Sequence, residues 1–459
     1  MALAGWNSAN IITLTIDSLN VDSELIDFPV LVSLSSITGQ GAYDATVVFD
    51  ELGSNANRKK IAITDSDDNE LYVEIERWDH SSEVAELWVK VPTIASGTDT
   101  DLYFYYDSAH AENTTYVGDT TEAPAQSVWN SNFVLVWHMA QDPSGGAGAM
   151  KDSTSGGYHG TSAGSMGSGD LVDAKTGKGI RFDGNNDKIE MPNIKANFAT
   201  EASLELLLKL DSNTPADLQS GLGILGTTGQ RLHYPYTDGN LYIDVFKDDR
   251  PNLGDNSGFN KANWHTLNVT QAPGANNWKL YQNTTKFGTD LTGEADVKFP
   301  HLNPLANIGE SNTGRNLDGI ICEFRLSKSV RNAAWLKTTY YSNWNDLLTF
   351  TFSGEISVSA GLQTLSLLQY APTLEISPTV LAGLQTLSLS QYAPTINISD
   401  LVIPSLLTLT LSVYGVTTDI WEMTLLGDGM YDRTGGNRSG PAIIGGGLSS
   451  GQKRLKIAV

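Results

Sequence analysis

The chain is nearly without cysteine. Cys322 is the only one in 459 residues, so no intrachain disulfide can form and a disulfide-stapled scaffold is excluded. It lies in the apolar run "GIICEFRLS" and reads as a buried structural thiol. Basic residues are scarce as well: 29 Lys and Arg stand against 52 Asp and Glu, for a net charge of −23. Such a surface repels phosphate backbones and anionic lipid, so no nucleic-acid partner is expected. Long apolar runs are missing. The longest, "LVIPSLLTLTLSVYGV", is broken by Pro404 and dotted with Ser and Thr, so membrane insertion is not expected. The opening "MALAGWNSAN" has neither a basic n-region nor an apolar h-region, and export by a secretory leader is not expected.

Catalytic patterns are missing too. The seven histidines show no His-x-His or His-x3-His spacing, which argues against a zinc motif. His138 and His265 each follow a Trp on a strand and read as packing residues. No Ser occupies a nucleophile elbow between strand and helix. The glycine-rich "GGNRSG" and "IIGGGLSSG" are not followed by Gly-Lys-Ser/Thr, so no phosphate loop is present. The nearest approach to a row of carboxylates on one strand is "VEIERW", where Glu74 and Glu76 alternate but Trp78 takes the third place. "LYIDVFKDD" offers Asp244 without a partner two residues away. The expectation is a protein that is not an enzyme.

What the chain has is β-structure. Up to about residue 118, period-two segments such as "NIITLTID", "FPVLVSL", "ELYVEIERW", "AELWVKVP" and "DLYFYYD" predict antiparallel strands of a β-sandwich, with no helical spacing. "GDTTEAPAQS" (Gly118 to Ser127) reads as a soft linker. Residues 128–350 continue with strands separated by Gly, Asn and Asp turns, which predicts a jelly roll. "RNAAWLKTTYYSNW" predicts one short helix closing that domain. Residues 355–418 hold a repeat, and 419–459 form a Gly-rich tail without the means for a core of its own. The fold class is all-β: tandem β-sandwich and jelly-roll domains followed by a β-repeat segment.

The first module resembles an uncharacterised β-domain of bacteria and their viruses. The matching residues are Trp6, "DFPVLVSL" from Asp27, "LYVEIERWD" from Leu71, "LWVKVPTI" from Leu87 and "TDTDLYFYYD" from Thr98. In that family the module commonly precedes a concanavalin A-like lectin/glucanase domain of the laminin-G-like kind. The second module is similar to that domain in "VWHM" at Val136, "DSTSGGYHGT" from Asp152, "GKGIRFDGNNDKIEMP" from Gly177 and "LDGIICEFRLSKSVRNAAWLKTTYYSN" from Leu317. The resemblance implies the fold, and a module that binds sugars, binds proteins or decorates a surface. The chain departs from the family at Gly319, where an acidic residue usually follows the position of Asp318.

The repeat is written almost without charge. "AGLQTLSLLQYAPTLEIS" starts at Ala360 and "AGLQTLSLSQYAPTINIS" 22 residues later at Ala382. A degenerate third copy, "PSLLTLTLSVYGVTTDI", keeps the offset. Leu365, Leu367, Leu387, Leu389, Leu409 and Leu411 then share one face, with hydroxyls on the other. Between Thr351 and Thr418 the only charged residues are Glu355, Glu375 and Asp400. One unit cannot bury its leucine face alone, whereas stacked units or units of neighbouring chains can. The repeat is therefore expected to be an assembly element, a stalk or dock, with a homotrimer favoured; the alternative is a small ordinary sandwich made by the three units of one chain.

Three site expectations follow. No cofactor is called for beyond calcium, for which the oxygen-bearing turns at Asp152 and at Asp183, Asn186 and Asp187 are the candidates. Tyr234, Tyr236 and Trp278, with Asn276 and Asn277, are the candidate glycan-binding residues. The expected role is a virion structural protein of a bacterial virus, a surface decoration, fibre or tail-associated adhesin, with other virion chains, itself and host surface glycans as partners. The alternative is a bacterial cell-surface or secreted glycan-binding protein.

Overall fold

Period-two alternation produces strands throughout the first module. They are β1 (Ile11–Ile16), β2 (Leu25–Leu34), β3 (Ile61–Thr64), β4 (Val73–Asp79), β5 (Val84–Ile94), β6 (Thr100–Tyr106) and β7 (Val117–Asp119). One sheet has the order β2-β5-β4-β7; the other holds β3, β6, β1 and a fourth strand from far down the chain. In this computed structural model the described residues are 3–198, 201–211, 231–233, 240–244, 252–255, 259–273, 278–288, 307–312 and 315–353, followed by the strands of the repeat segment.

Two features differ from expectation. Val47–Leu52 is a helix, α1, closed by Gly53 at φ +70. Six residues are too few for a helical period to show in sequence. The expected soft linker is ordered. It begins in β7, which pairs in parallel with β4, and continues into a helical turn, α2 (Ala123–Gln126), with Pro124 in its first positions.

The second module follows. Its strands are β8 (Phe133–Trp137), β9 (Thr161–Ala163), β10 (Leu171–Asp173), β11 (Lys178–Asp183), β12 (Lys188–Glu190), β13 (Ala202–Leu210), β14 (Arg231–His233), β15 (Asn240–Asp244), β16 (Asn252–Asp255), β17 (His265–Gln271), β18 (Trp278–Gln282), β19 (Thr285–Phe287), β20 (Asn307–Ile308), β21 (Glu310–Asn312), β22 (Arg315–Asn316) and β23 (Asp318–Ser327). The principal sheet runs β10-β11-β23-β13-β17-β18-β19, with β8 also on β23. A smaller sheet, β20-β12-β9, accompanies it. Trp137, Phe182, Leu204, Leu206, Leu208 and Phe324 belong to the core of this module. Strands β13 and β23 are buried along nearly their whole length, so their second faces are covered as well. Cys322 is free and buried there, and burial pushes its thiol up to about 12.

After β23 the chain returns to the first module. Helix α3 (Ala333–Asn343) forms where a helix was expected, but it packs on the first module instead of closing the second; Asn332 starts it, its side chain accepting from Trp335 N. It packs on β2: Trp335 meets Phe28 edge-on at 4.6 Å, and Ser342 Oγ accepts from Leu31 N at 2.8 Å. Strand β24 (Leu348–Phe352) then completes the sheet β24-β1-β6-β3. The first sandwich is thus finished by residues that follow the second.

The chain divides into two compact units, residues 1–7 with 13–350 and residues 8–12 with 351–459. The two sandwiches lie in the first. In the second, β25 (Thr364–Gln369), β26 (Thr373–Ile376), β27 (Thr386–Gln391), β28 (Thr395–Ile398) and β29 (Thr408–Val413) carry the repeats. Strands β25, β27 and β29 pair in parallel, as do β26 and β28. The register sets Leu365 beside Leu387 and Leu387 beside Leu409, and likewise Leu367, Leu389 and Leu411. Two further strands, β30 (Trp421–Leu426) and β31 (Met430–Thr434), extend the sheet antiparallel. The start of the glycine-rich tail therefore folds onto the repeats.

Candidate functional site

The residues of greatest chemical interest lie where the two sandwiches meet. Strand β4 places Glu74 opposite Trp88 of β5, and a register shift between Ile75 and Arg77 makes Glu76 the extra residue of a bulge. Trp88 Nε1 donates to Glu76 Oε2 at 2.8 Å. Glu74 is used by more donors. Its Oε1 accepts from Thr120 Oγ1 and Ser153 Oγ, both at 2.7 Å. Its Oε2 accepts from Trp129 Nε1 at 2.5 Å.

The second module supplies the opposing groups. His138 follows β8, and Glu323 and Arg325 alternate on β23. His138 Nδ1 lies 2.7 Å from Glu323 Oε1 and 3.5 Å from Glu76 Oε2. Its Nε2 lies 3.4 Å from Glu74 Oε2. Arg325 Nε and Nη2 both reach Glu323 Oε2 at 3.0 Å. Indole rings enclose the group: the guanidinium of Arg325 sits 4.3 Å from the centre of Trp88 and 5.2 Å from that of Trp129. The side chains of Glu74, Glu76 and His138 are wholly shielded from solvent.

Burial decides the protonation of this cluster. It raises the Glu76 carboxyl well above the usual range, with the Glu323 charge adding to it and His138 opposing. Burial alone would lower His138, but the charges of Glu323, Glu76 and Glu74 outweigh it and hold the imidazole well above its ordinary value. Glu323 is also penalised by burial, yet His138 and Arg325 bring it below its ordinary value. Beside them, Glu205 faces Arg325 across the ladder. Burial raises the Glu205 carboxyl and lowers the neighbouring Arg331 to about 10.

The residues expected from the sequence to bind calcium or glycan lie elsewhere. Asp152 is a loop clamp. Its Oδ1 accepts from Val136 N and Thr154 N, and its Oδ2 from Thr154 Oγ1 and Tyr158 N, at 2.8–3.1 Å. A calcium ion there would have to displace those donors. Asp183, Asn186 and Asp187 share the turn after β11. Asp183 Oδ1 accepts from Asn185 N and Asn186 N, Asp187 Oδ2 accepts from Asp183 N, and Asn186 Oδ1 accepts from Ser165 N. Asp152 takes no part in these bonds. Tyr234, Tyr236, Asn276 and Asn277 lie outside the described residues, and Trp278 opens β18 opposite Gln271. His265 packs edge-on against Phe259 at 5.0 Å, as expected of a packing residue. His138 is more than that, and Glu323 and Arg325 were hidden in an apolar run. The available signal was an acid and a base two apart within "IICEFRLS", a spacing that puts both on one face of a strand buried on both sides.

Comparison with known proteins agrees with this architecture. Residues 57–132 match the family described as a domain of unknown function (DUF2341). Residues 183–360 match the concanavalin A-like lectin/glucanases superfamily. The chain therefore carries a DUF2341 domain followed by a concanavalin A-like domain. Strands β1 and β2 of the first sandwich and β8 of the second lie outside the matched spans. No curated protein matches the chain. Among solved structures, domain 4 of a GH43 extracellular arabinanase from Geobacillus stearothermophilus, in complex with arabinotriose, is 16% identical with a TM-score of 0.33, over 45% of this chain and 97% of that one. The binding domain of botulinum neurotoxin serotype D is 16% identical with a TM-score of 0.36, over 49% of this chain and 56% of that one. Trypanosoma rangeli sialidase in complex with sialic acid is 10% identical with a TM-score of 0.36, over 61% of this chain and 46% of that one.

Proposed function

We propose that the protein is a non-catalytic, carbohydrate-binding structural protein of a bacterial virus particle, in which the concanavalin A-like module binds host surface glycans and the repeats serve assembly. One observation carries the non-catalytic part. Glu74 and Glu76 of β4 and Glu323 of β23 are enclosed between the modules and engaged with His138, Arg325 and indole N–H groups. Glycoside hydrolysis needs two carboxyl groups flanking a cleft open to sugar and water. The lectin/glucanase description of the second module supports carbohydrate as the ligand class. The in-register repeats, written almost without charge, support an assembly role, with association into a trimer as the favoured state.

The test has two arms. The full chain, applied to a glycan array, retains at least one bacterial surface glycan and releases no reducing ends from it. Tryptic peptides of the chain occur in gradient-purified virus particles. Reducing-end release overturns the non-catalytic reading. Peptides confined to a bacterial envelope fraction overturn the virion reading in favour of a cell-surface protein.

A further inference from the structure

We propose that the junction between the sandwiches is a structural site for a divalent transition metal of the zinc class, with Glu76 from the first module and His138 and Glu323 from the second as its ligands. Each offers one ligand atom, and these atoms all lie within 4.8 Å of one another.

The surroundings assign the atoms. His138 presents Nδ1 to both Glu323 and Glu76, while Nε2 faces Glu74. Glu74 is itself fixed by Trp129, Ser153 and Thr120. A carboxylate behind one imidazole nitrogen keeps the proton there and leaves the other nitrogen free for a metal. Arg325 holds Glu323 Oε2 and leaves Oε1 toward the imidazole. Trp88 holds Glu76 Oε2, while the fully buried Glu76 Oε1 has no hydrogen-bond partner among the described residues. Buried polar atoms are rarely left so.

Charge makes the same demand. Glu74, Glu76 and Glu323 face one permanent cation, Arg325, so the inner cluster is two positive charges short. One dication makes up the difference. One imidazole and two carboxylates suit zinc, whereas calcium takes six or more oxygens. With ligands from both modules, the metal joins them. Indoles close the site, so its part is structural.

The test uses the full chain, produced in zinc-supplemented and in zinc-depleted medium and assayed by elemental analysis and thermal melting. Wild-type protein from supplemented medium is expected to carry about one zinc per chain and to melt several degrees above the depleted form. Glu76→Gln is the informative variant. Its amide keeps the size of the carboxyl and an oxygen that can accept from Trp88 Nε1, so it is expected to fold. It cannot supply an anionic ligand, so it is expected to carry no zinc and to show no difference between the media. Wild type without zinc from supplemented medium, or Glu76→Gln with as much zinc as wild type, overturns the proposal.

Discussion

The imidazole of His138, from the second module, lies against the indole of Trp88, from the first, with ring centroids 5.4 Å apart and planes 14° from parallel. The same imidazole is bound edge-on by carboxylates of both modules. The two sandwiches therefore share one buried charged centre, and neither can leave the other without exposing it.

Removing His138 tests this directly. His138→Ala leaves Glu74 and Glu323 facing Arg325 alone, and breaking a buried ion pair by deleting one partner costs about 3–5 kcal/mol. Chemical denaturation of the first compact unit is expected to shift by that order, with both sandwiches unfolding together. Adding Glu323→Gln to His138→Ala is expected to recover part of the loss, because the stranded charge is removed. A single variant as stable as wild type refutes the shared centre.

The pH dependence has a defined sign. In chelator, protons alone neutralise the junction. Glu76 and His138 both have folded-state values above their ordinary 4.5 and 6.5. Their contributions are complete below those ordinary values and are lost as pH rises through the folded ones. Glu323 is shifted down, so its contribution is lost only as pH falls through its folded value. Through Glu76 and His138 the native chain holds more protons than the unfolded chain above pH 6.5, so their part of the stability falls by up to ~1.4 kcal/mol per pH unit for each extra proton. Melting temperatures are expected to decline as pH rises above about 6.5, and Glu76→Gln to flatten the decline. A flat or rising wild-type profile contradicts the assignment.

Much of the architecture was legible because strands announce themselves by alternation. "FPVLVSL" and "LWVKVP" became β2 and β5, and the 22-residue offset gave the register of the repeat strands. The junction was not legible. Glu74, Trp129, His138 and Glu323 come from distant segments, and each alone looks like an ordinary strand or packing residue. Glu74 and Glu76 stood out as a pair in the first module, but one-dimensional spacing cannot show that they meet His138 and Glu323 of the second. The return of the chain through α3 and β24 was hidden for the same reason.

That return gives a third prediction. Truncation after Ser329 removes α3 and β24. It takes away the partner of Phe28 and the edge strand beside β1. Proteolysis is expected to digest the first sandwich of the truncated chain, although residues 1–118 are all present. A protease-resistant first sandwich after this truncation shows that it folds without its late strand.

The last prediction concerns the repeats. Strand β27 pairs in parallel with β25 on one side and β29 on the other, and Thr386 partners both Thr364 and Thr408. Each step along the chain is 22 residues, so removing one whole unit keeps every remaining strand in phase. Deleting residues 382–403 joins Leu381 to Pro404 and brings β25 into the register with β29 that β27 held. Deleting only the first half of that stretch, residues 382–392, removes β27 and leaves β28 half a unit out of phase. Because side chains alternate with period two and the offset is fixed by the turns, a wrong-length deletion cannot be absorbed by sliding. Limited proteolysis and circular dichroism are expected to show an intact, shorter repeat segment after the whole-unit deletion and a cleaved one after the half-unit deletion. Should both variants behave alike, the parallel in-register stack is not what orders this segment.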